Sequence, residues 1–292
     1  MSDLAVRIDP SMCGRTVKDV LRTKLGVTSR LLSSLKSSGG LLLNGQNVTV
    51  RAVVREGDEL RLVLPEKESQ ICPADIPIDV LYEDEHILAV NKPRNMQVHP
   101  SHSDFTHTLG NAVAFRYGTQ NFVYRPLTRL DKNTSGVVLI GRSQYAAARL
   151  SEQLRSGAVK KTYVAVICGR PDPPSGVIDA PVAREREGCV RRCVRGDGKP
   201  SRTEYETLSA CGRLCLVRLR PITGRTHQIR VHMSYIGHPL YNDFLYGDEC
   251  STGTYLLHCS SVEFIHPWSK SRVVVECSPD FVGAENSIIL PT

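Results

Sequence analysis

The order of short apolar runs along the chain is the feature that most constrains its fold. Strand-like runs, such as residues 137–140 and 162–167, mix irregularly with a few helical patterns. None approaches the roughly 20 consecutive apolar residues of a membrane-spanning helix. Irregular mixing of strands and helices is typical of α+β proteins, so we expect an α+β fold that does not span a membrane.

Two helices of the larger part of the chain can be placed from their ends. Ser143 is suited to cap a helix that ends at Gly157, and a second helix ends at Gly237. The apolar stripe of this second helix consists of Ile229, Met233 and Ile236. That stripe places Arg230 at its edge, from which the side chain can reach a cleft.

Residues 12–68 read as a separate small unit, followed by a polar, proline-bearing linker over residues 69–78. Two short helices are predicted before Gly39, and strands are predicted over residues 41–43, 48–50 and 59–64. The basic residues on the two helices are Arg15, Lys18, Arg22, Lys24, Arg30 and Lys36. They form either a solvated surface or a face that binds phosphate groups.

The net charge also permits an anionic partner. Thirty-seven basic against 30 acidic residues give a formal charge of +7. A second concentration of basic residues, which includes Arg191 and Arg192, lies in a glycine-containing stretch between Arg184 and Arg202. A moderate positive charge fits a nucleic acid partner but does not require one.

The 10 cysteines leave two interpretations open. The N-terminus lacks the pattern of a secretory signal, so disulfides are not expected. Two pairs, Cys189 with Cys193 and Cys211 with Cys215, have a C-x3-C spacing that differs from the C-x2-C of most structural zinc sites. Reduced structural cysteines are the favoured interpretation, and a zinc-dependent enzyme is the alternative.

The stretch from Arg129 to Gly136 is the candidate for chemistry. It places Asp131 shortly before the apolar run of residues 137–140. An aspartate at such a turn is ordinarily a structural residue that bonds to its own backbone. The residues alone therefore leave Asp131 open between a structural and a catalytic role.

The surrounding motifs resemble the RluA family of pseudouridine synthases. Asp131 with Thr134, Ser135 and Gly136 resembles motif I of that family. Further matching motifs follow the family's order: Tyr82-Glu83-Asp84-Glu85, Val90-Asn91-Lys92-Pro93, Val98-His99-Pro100, Lys161-Thr162-Tyr163 as motif II, and Gly224-Arg225-Thr226-His227-Gln228-Ile229-Arg230 as motif III. The N-terminal unit resembles the RNA-binding module of ribosomal protein S-four, through Leu25-Gly26-Val27-Thr28-Ser29-Arg30, Leu43-Asn44-Gly45 and Glu56-Gly57-Asp58.

The resemblance implies both a fold and an activity. The implied fold is an S-four-type module over residues 12–68 before a catalytic domain over residues 79–285, whose central sheet is mixed but largely antiparallel. The implied activity isomerises specific uridines of structured RNA to pseudouridine. This reaction breaks an N-glycosidic bond and rejoins the base through carbon, without redox change, so neither a cofactor nor a metal is expected.

The resemblance also assigns site residues. Asp131 is the implied catalytic carboxylate, acting as nucleophile or as base. Arg230 is its implied ionic partner, because a carboxylate in a water-poor pocket stays charged only beside positive charge. Tyr163 is implied to stack on the uracil, and Arg129 to displace the target base from its neighbours. The family usually has histidine immediately before Arg129-Leu130-Asp131, where this chain has Thr128.

The expected partner is RNA, with large-subunit ribosomal RNA favoured over tRNA. Besides Arg129, the expected RNA-binding residues are Arg15, Lys18, Arg22, Arg30, Lys36, Arg191 and Arg192. A cytoplasmic monomer without an obligate protein partner is the default expectation. The alternative is a non-catalytic RNA-binding or ribosome-assembly factor with an inactive synthase domain.

Overall fold

The N-terminal part is a small unit in which two helices and a four-stranded antiparallel sheet share one core. The computed structural model of the chain describes residues 3–64, 71–101, 104–118, 122–247, 254–283 and 286–290. The strand order of the small sheet is β1-β4-β2-β3. The elements are β1 (Asp3–Arg7), α1 (Val17–Thr23), α2 (Ser29–Ser37), β2 (Leu41–Leu43), β3 (Gln46–Asn47) and β4 (Glu59–Val63).

Local hydrogen bonds explain where the small unit differs from the sequence prediction. Residues 48–50 are not a strand, because backbone carbonyls of this segment accept the free N–H groups at the start of α1: Lys18 N–H bonds to the carbonyl of Val50, and Val17 N–H to that of Ala52. Strand β1 was not predicted, and its pairing with β4 places the start of the unit before residue 12.

The small unit contacts helix α4 (Gln144–Ser156) of the larger part. The Tyr145 hydroxyl donates to the carbonyl of Leu25 (2.7 Å), and Arg149 donates to that of Gly26 (2.8 Å). The linker was predicted over residues 69–78, of which 69–70 lie outside the described residues. Residues 71–78 form no helix or strand, and apolar side chains among them pack against the larger core.

The larger part is built on a mixed, largely antiparallel sheet, as an α+β fold requires. In the described residues this sheet has nine strands in the order β5-β6-β7-β14-β8-β13-β12-β9, with β15 paired to β14. The elements of this part are β5 (Asp79–Glu83), β6 (Ile87–Lys92), α3 (Leu109–Tyr117), β7 (Ser135–Gly141), α4, β8 (Lys160–Cys168), β9 (Ser175–Asp179), β10 (Val182–Arg184), β11 (Arg192–Val194), β12 (Arg202–Cys211), β13 (Leu214–Pro221), α5 (Gln228–Tyr235), β14 (Leu257–Ile265) and β15 (Arg272–Glu276).

The centre of the sheet determines where the loop before β7 lies. Every residue of β7 is buried, and the strand runs parallel to β14, with Gly136 opposite Cys259. Gly136 has φ of 108°, and a Cβ atom there would lie 2.2 Å from the carbonyl oxygen of Cys259. Only glycine permits this approach. Cys259 also pairs with Tyr163 on β8. Strand β14 is therefore flanked by β7, which follows the Asp131 loop, and by β8, which carries Tyr163.

The two helices placed from the sequence are confirmed. Ser143 caps α4 by accepting from the backbone N–H of Ala146, and the helix ends at Gly157 in a left-handed conformation (φ of 76°). Helix α5 ends shortly before Gly237, but residues 228–233 are all buried. Arg230 is therefore inside the protein rather than at the edge of an apolar stripe. None of the helices in the described ranges is long and apolar enough to cross a membrane.

Candidate active site

Asp131 lies at the turn before β7, where its carboxylate is partly open to solvent. The turn is closed by a hydrogen bond from the backbone N–H of Thr134 to the carbonyl of Asp131 (3.1 Å). The side chain is 24% exposed, so it is neither sealed in the core nor surrounded by bulk solvent. This is the setting that a reactive carboxylate needs.

Arg230 lies beside Asp131, as expected, and it also has a second acidic partner, Asp243, which was not predicted. Arg230 forms two parallel hydrogen bonds of 2.7 Å to the two carboxylate oxygens of Asp243. Its Nη1 atom is 3.8 Å from Oδ2 of Asp131. Arg230 is 3% exposed and Asp243 is fully buried. The arginine therefore presents its charge to Asp131 while its orientation is fixed by Asp243.

Aromatic rings enclose the Arg230 guanidinium. Its central carbon lies 4.2 Å from the ring centroid of Tyr255, 4.8 Å from that of Tyr246 and 5.6 Å from that of Phe244. Burial alone would lower the pKa of Arg230, but the hydrogen bonds to Asp243 and the neighbouring negative charges raise it. The site thus holds a permanent positive charge beside Asp131.

Tyr163 faces the same site from β8. It is 7% exposed, and its hydroxyl is hydrogen-bonded to the thiol of Cys259. Burial, Cys259 and the charge of Asp131 together raise the pKa of Tyr163 well above its ordinary value. Tyr163 is therefore a neutral phenol at physiological pH, which suits stacking and proton donation but not service as a base.

Lys92 belongs to the Val90-Asn91-Lys92-Pro93 motif, and no role was predicted for it. Lys92 is fully buried, and its ammonium group donates to the carbonyls of Pro93 (2.8 Å), Met96 (2.7 Å) and Lys132 (3.1 Å). The last bond ties the buried amine to the residue that follows Asp131. Burial lowers the pKa of Lys92 to about 7, although the charge of Asp131 opposes this shift. No sequence signal distinguishes this lysine from an exposed one.

Because of this shift, we expect Lys92 to make stability depend on pH. Between pH 7 and the ordinary lysine pKa near 10, the unfolded chain binds the proton that the folded chain has released. The free energy of unfolding should therefore rise with pH in this window, by up to about 1.4 kcal/mol per pH unit, and this gain should be lost as pH falls towards 7. Urea unfolding of wild type and Lys92→Met at pH 7.5 and 9.5 measures the contribution.

The difference in stability between wild type and Lys92→Met should grow in favour of the wild type at the higher pH. Lys160→Met, at an exposed lysine, serves as the control and should show no such change. If the difference in the free energy of unfolding between wild type and Lys92→Met is the same at both pH values, the lowered pKa of Lys92 is contradicted.

Thr128 and Arg129 have opposite environments. Thr128 is 7% exposed, and its hydroxyl accepts a hydrogen bond from the backbone N–H of Leu139 (3.0 Å). It therefore supports β7. Arg129 is exposed. Burial and, to a smaller extent, the charge of Arg129 lower the pKa of His99. The exposed guanidinium of Arg129 is thus available to contact a ligand.

The predicted RNA-binding residues fall on two surfaces. Lys18, Arg22 and Lys36 line a groove of about 590 Å³ on the small unit together with Arg51, whereas Arg15 and Arg30 are exposed outside its lining. The second surface lies beside Tyr246, whose ring also packs on the Arg230 guanidinium. The guanidinium of Arg191 lies 5.9 Å from the ring centroid of Tyr246, and the backbone N–H of Arg192 donates to the Tyr246 hydroxyl.

The cysteine pairs give the zinc interpretation no support. In the part of the chain that the structure describes, no three side chains among histidine, cysteine, aspartate and glutamate come together as metal ligands. Cys189 and Cys193 are half-buried near the basic loop, Cys211 is exposed and Cys215 is buried.

The fold, together with the side chains gathered around Asp131, identifies the class of protein as a pseudouridine synthase. The solved structure of human RNA Pseudouridylate Synthase Domain Containing 1 matches this fold with a TM-score of 0.62 and 25% identity, over 75% of this chain and 92% of that one. Residues 86–235 match the family described as RNA pseudouridylate synthase, and the chain belongs to that family of isomerases, which convert uridine in RNA to pseudouridine.

Curated relatives match nearly the whole chain. The uncharacterized RNA pseudouridine synthase YjbO of Bacillus subtilis (strain 168) is 38% identical over 256 residues, which cover 86% of this chain and 90% of the relative. Ribosomal large subunit pseudouridine synthase D of Xanthomonas campestris pv. campestris is 35% identical over 281 residues, covering 90% of this chain and 85% of the relative.

Proposed function

We propose that this chain isomerises uridines of large-subunit ribosomal RNA and that Asp131 is its catalytic carboxylate. The observation that carries the proposal is the position of Asp131, whose side chain is 24% exposed and lies 3.8 Å from the buried guanidinium of Arg230. The positive charge favours the ionised carboxylate in a site where burial opposes it. Three matched relatives bear the name ribosomal large subunit pseudouridine synthase D, which supports this class of RNA as substrate.

The chemistry needs no group from outside the chain. The bond between C1′ of ribose and N1 of uracil breaks, a bond between C1′ and C5 forms, C5 loses its proton and N1 gains one. Asp131 serves as nucleophile or base towards the sugar–base unit. Tyr163 stacks on the uracil, for which its flat, neutral phenol ring is suited.

Base extrusion is assigned to Arg129. A uridine inside folded RNA must leave its stack to reach Asp131, at a cost of a few kcal/mol. A guanidinium both stacks and binds phosphate, so the exposed Arg129 is suited to fill the vacated space. Thr128 takes no part in this step, because its hydroxyl is bonded to β7.

The surrounding basic surfaces hold the RNA. Arg191 and Arg192 contact the RNA backbone beside Tyr246. The groove of the small unit binds phosphates through Lys18, Arg22 and Lys36. Arg15 and Arg30, which lie outside the groove lining, add further positive charge. We place this activity in the cytoplasm and assign it to a monomer.

Mapping pseudouridine in unmodified transcripts tests the substrate class. We expect purified protein to modify a small number of uridines in large-subunit ribosomal RNA and none in small-subunit ribosomal RNA or tRNA. Modification restricted to tRNA would overturn the ribosomal proposal but leave the isomerase intact.

The groove on the small unit should contribute to binding through counterion release. An Arg22→Ala/Lys36→Ala variant removes two charges that line the groove. We expect its slope of log affinity against log salt concentration to be shallower by about 1.5, since each lost phosphate contact changes the slope by roughly 0.7 to 0.9. Filter binding between 50 and 300 mM KCl measures this.

An Arg61→Ala/Lys160→Ala variant loses the same two charges at exposed positions outside the groove lining. It should keep the wild-type slope. Equal slopes for all three proteins would show that the groove does not contact RNA.

A further inference from the structure

A chain of polar contacts leads from the basic loop to Asp131. The backbone N–H of Arg192 donates to the Tyr246 hydroxyl (2.9 Å), which lies 2.7 Å from Nδ1 of His227. The other ring nitrogen of His227, Nε2, is 3.8 Å from Oδ2 of Asp131. His227 was quoted within motif III, where the sequence assigned it no role.

The charge of Asp131 selects the tautomer of His227. The Tyr246 hydroxyl accepts from the backbone N–H of Arg192 and still carries its own proton, which it can donate to an unprotonated Nδ1 of His227. Burial lowers the pKa of His227 despite the opposing charge of Asp131, so the ring is neutral and carries one proton. That proton is then on Nε2, directed at the carboxylate. The other tautomer would turn a lone pair towards a negative charge.

The backbone around His227 holds the ring in this position. His227 has φ of 57° and ψ of 15°, a left-handed conformation that residues other than glycine rarely adopt. Tyr246 is fixed in turn, because its backbone N–H donates to Asp243 and its ring packs on the Arg230 guanidinium. Strained backbone of this kind persists where the surrounding contacts determine it, as at active sites.

Both contacts described for the Asp131 carboxylate fall on the same oxygen. His227 Nε2 and Arg230 Nη1 are each 3.8 Å from Oδ2. These distances exceed a hydrogen bond, and active-site contacts of this kind commonly shorten when substrate binds.

We propose that His227 is a positioning residue whose Nε2–H group, together with Arg230, holds Oδ2 of Asp131 so that Oδ1 is left to react with the target nucleoside. Tyr246 acts through His227 by fixing its tautomer. The inference rests on the proposed catalytic role of Asp131.

Single-turnover kinetics on ribosomal RNA test the proposal with four variants: His227→Leu, His227→Gln, Tyr246→Phe and the double variant His227→Gln/Tyr246→Phe. We expect His227→Leu to lower kcat by about 10- to 100-fold with KM within about twofold, because the lost contact acts on the reacting group. His227→Gln retains an N–H donor and should recover kcat to within about fivefold of wild type. A merely structural histidine would not show this rescue.

Tyr246→Phe tests whether the Tyr246 hydroxyl acts through the tautomer of His227. It should lower kcat by roughly 10-fold in the wild-type background and cause no further loss in His227→Gln, since an amide has no tautomer to fix. The proposal is overturned if folded His227→Leu keeps the wild-type kcat, or if Tyr246→Phe does. The proposal is also overturned if His227→Gln is as slow as His227→Leu. An inactive wild-type protein that still binds RNA would instead contradict the proposed function itself.

Discussion

Replacing Asp131 by asparagine is expected to leave a folded, RNA-binding protein that forms no measurable pseudouridine. The amide has almost the same shape as the carboxylate but is neither a nucleophile nor a base at neutral pH. We expect the single-turnover rate to fall by more than about 10³-fold. Nucleoside analysis of digested ribosomal RNA, after incubation with wild type or variant, measures the product directly.

An Asp75→Asn variant makes the same chemical change at an exposed carboxylate outside the candidate site. It should retain the wild-type rate. Pseudouridine formation by Asp131→Asn at more than about one tenth of the wild-type rate would remove Asp131 from the chemistry.

The second large effect is on stability. Asp243→Asn removes the counter-charge of Arg230 and leaves a buried guanidinium uncompensated. Breaking a buried pair from one side costs about 3–5 kcal/mol. The backbone N–H groups of Leu245 and Tyr246, which donate to Oδ1 of Asp243, are disturbed by the same change. Urea unfolding should show a midpoint far below that of the wild type.

The chain offers a matched control in the pair between Arg272 and Glu263. Its two hydrogen bonds, both 2.8 Å, have the same paired geometry, but the Arg272 side chain is 67% exposed. Glu263→Gln should therefore leave the urea midpoint close to that of the wild type, because exposed ion pairs add little stability. If Asp243→Asn costs no more than Glu263→Gln, the buried pair does not organise the site.

Local sequence signals predicted the parts of the fold that local chemistry determines. Ser143 and Gly157 mark α4 because capping oxygens and left-handed glycines act within one turn of a helix. Strand β1 was not predicted, because its short apolar pattern is stabilised as a strand only by pairing with β4, more than 50 residues away. The parallel pairing of β7 with β14 is equally non-local, and no pattern within either strand specifies it.

Some residues of the candidate site were also predictable and others were not. Asp131, Tyr163 and Arg230 were identified through motifs, and the structure brings all three together. The partner that orients Arg230 was not predicted, because Asp243 lies 13 residues further along the chain, where the sequence does not show which charges are buried. Lys92 was missed for the same reason, since burial rather than residue type makes it unusual.

We infer that the site at Asp131 exchanges a C1′–N1 bond for a C1′–C5 bond in RNA, and release of the hydrogen on C5 reports this exchange. Large-subunit ribosomal RNA transcribed with uridine tritiated at C5 provides the signal. We predict that wild-type protein releases tritium to water in proportion to the pseudouridine formed and that Asp131→Asn releases none. Folded wild-type protein that binds this RNA and releases no tritium would contradict the account.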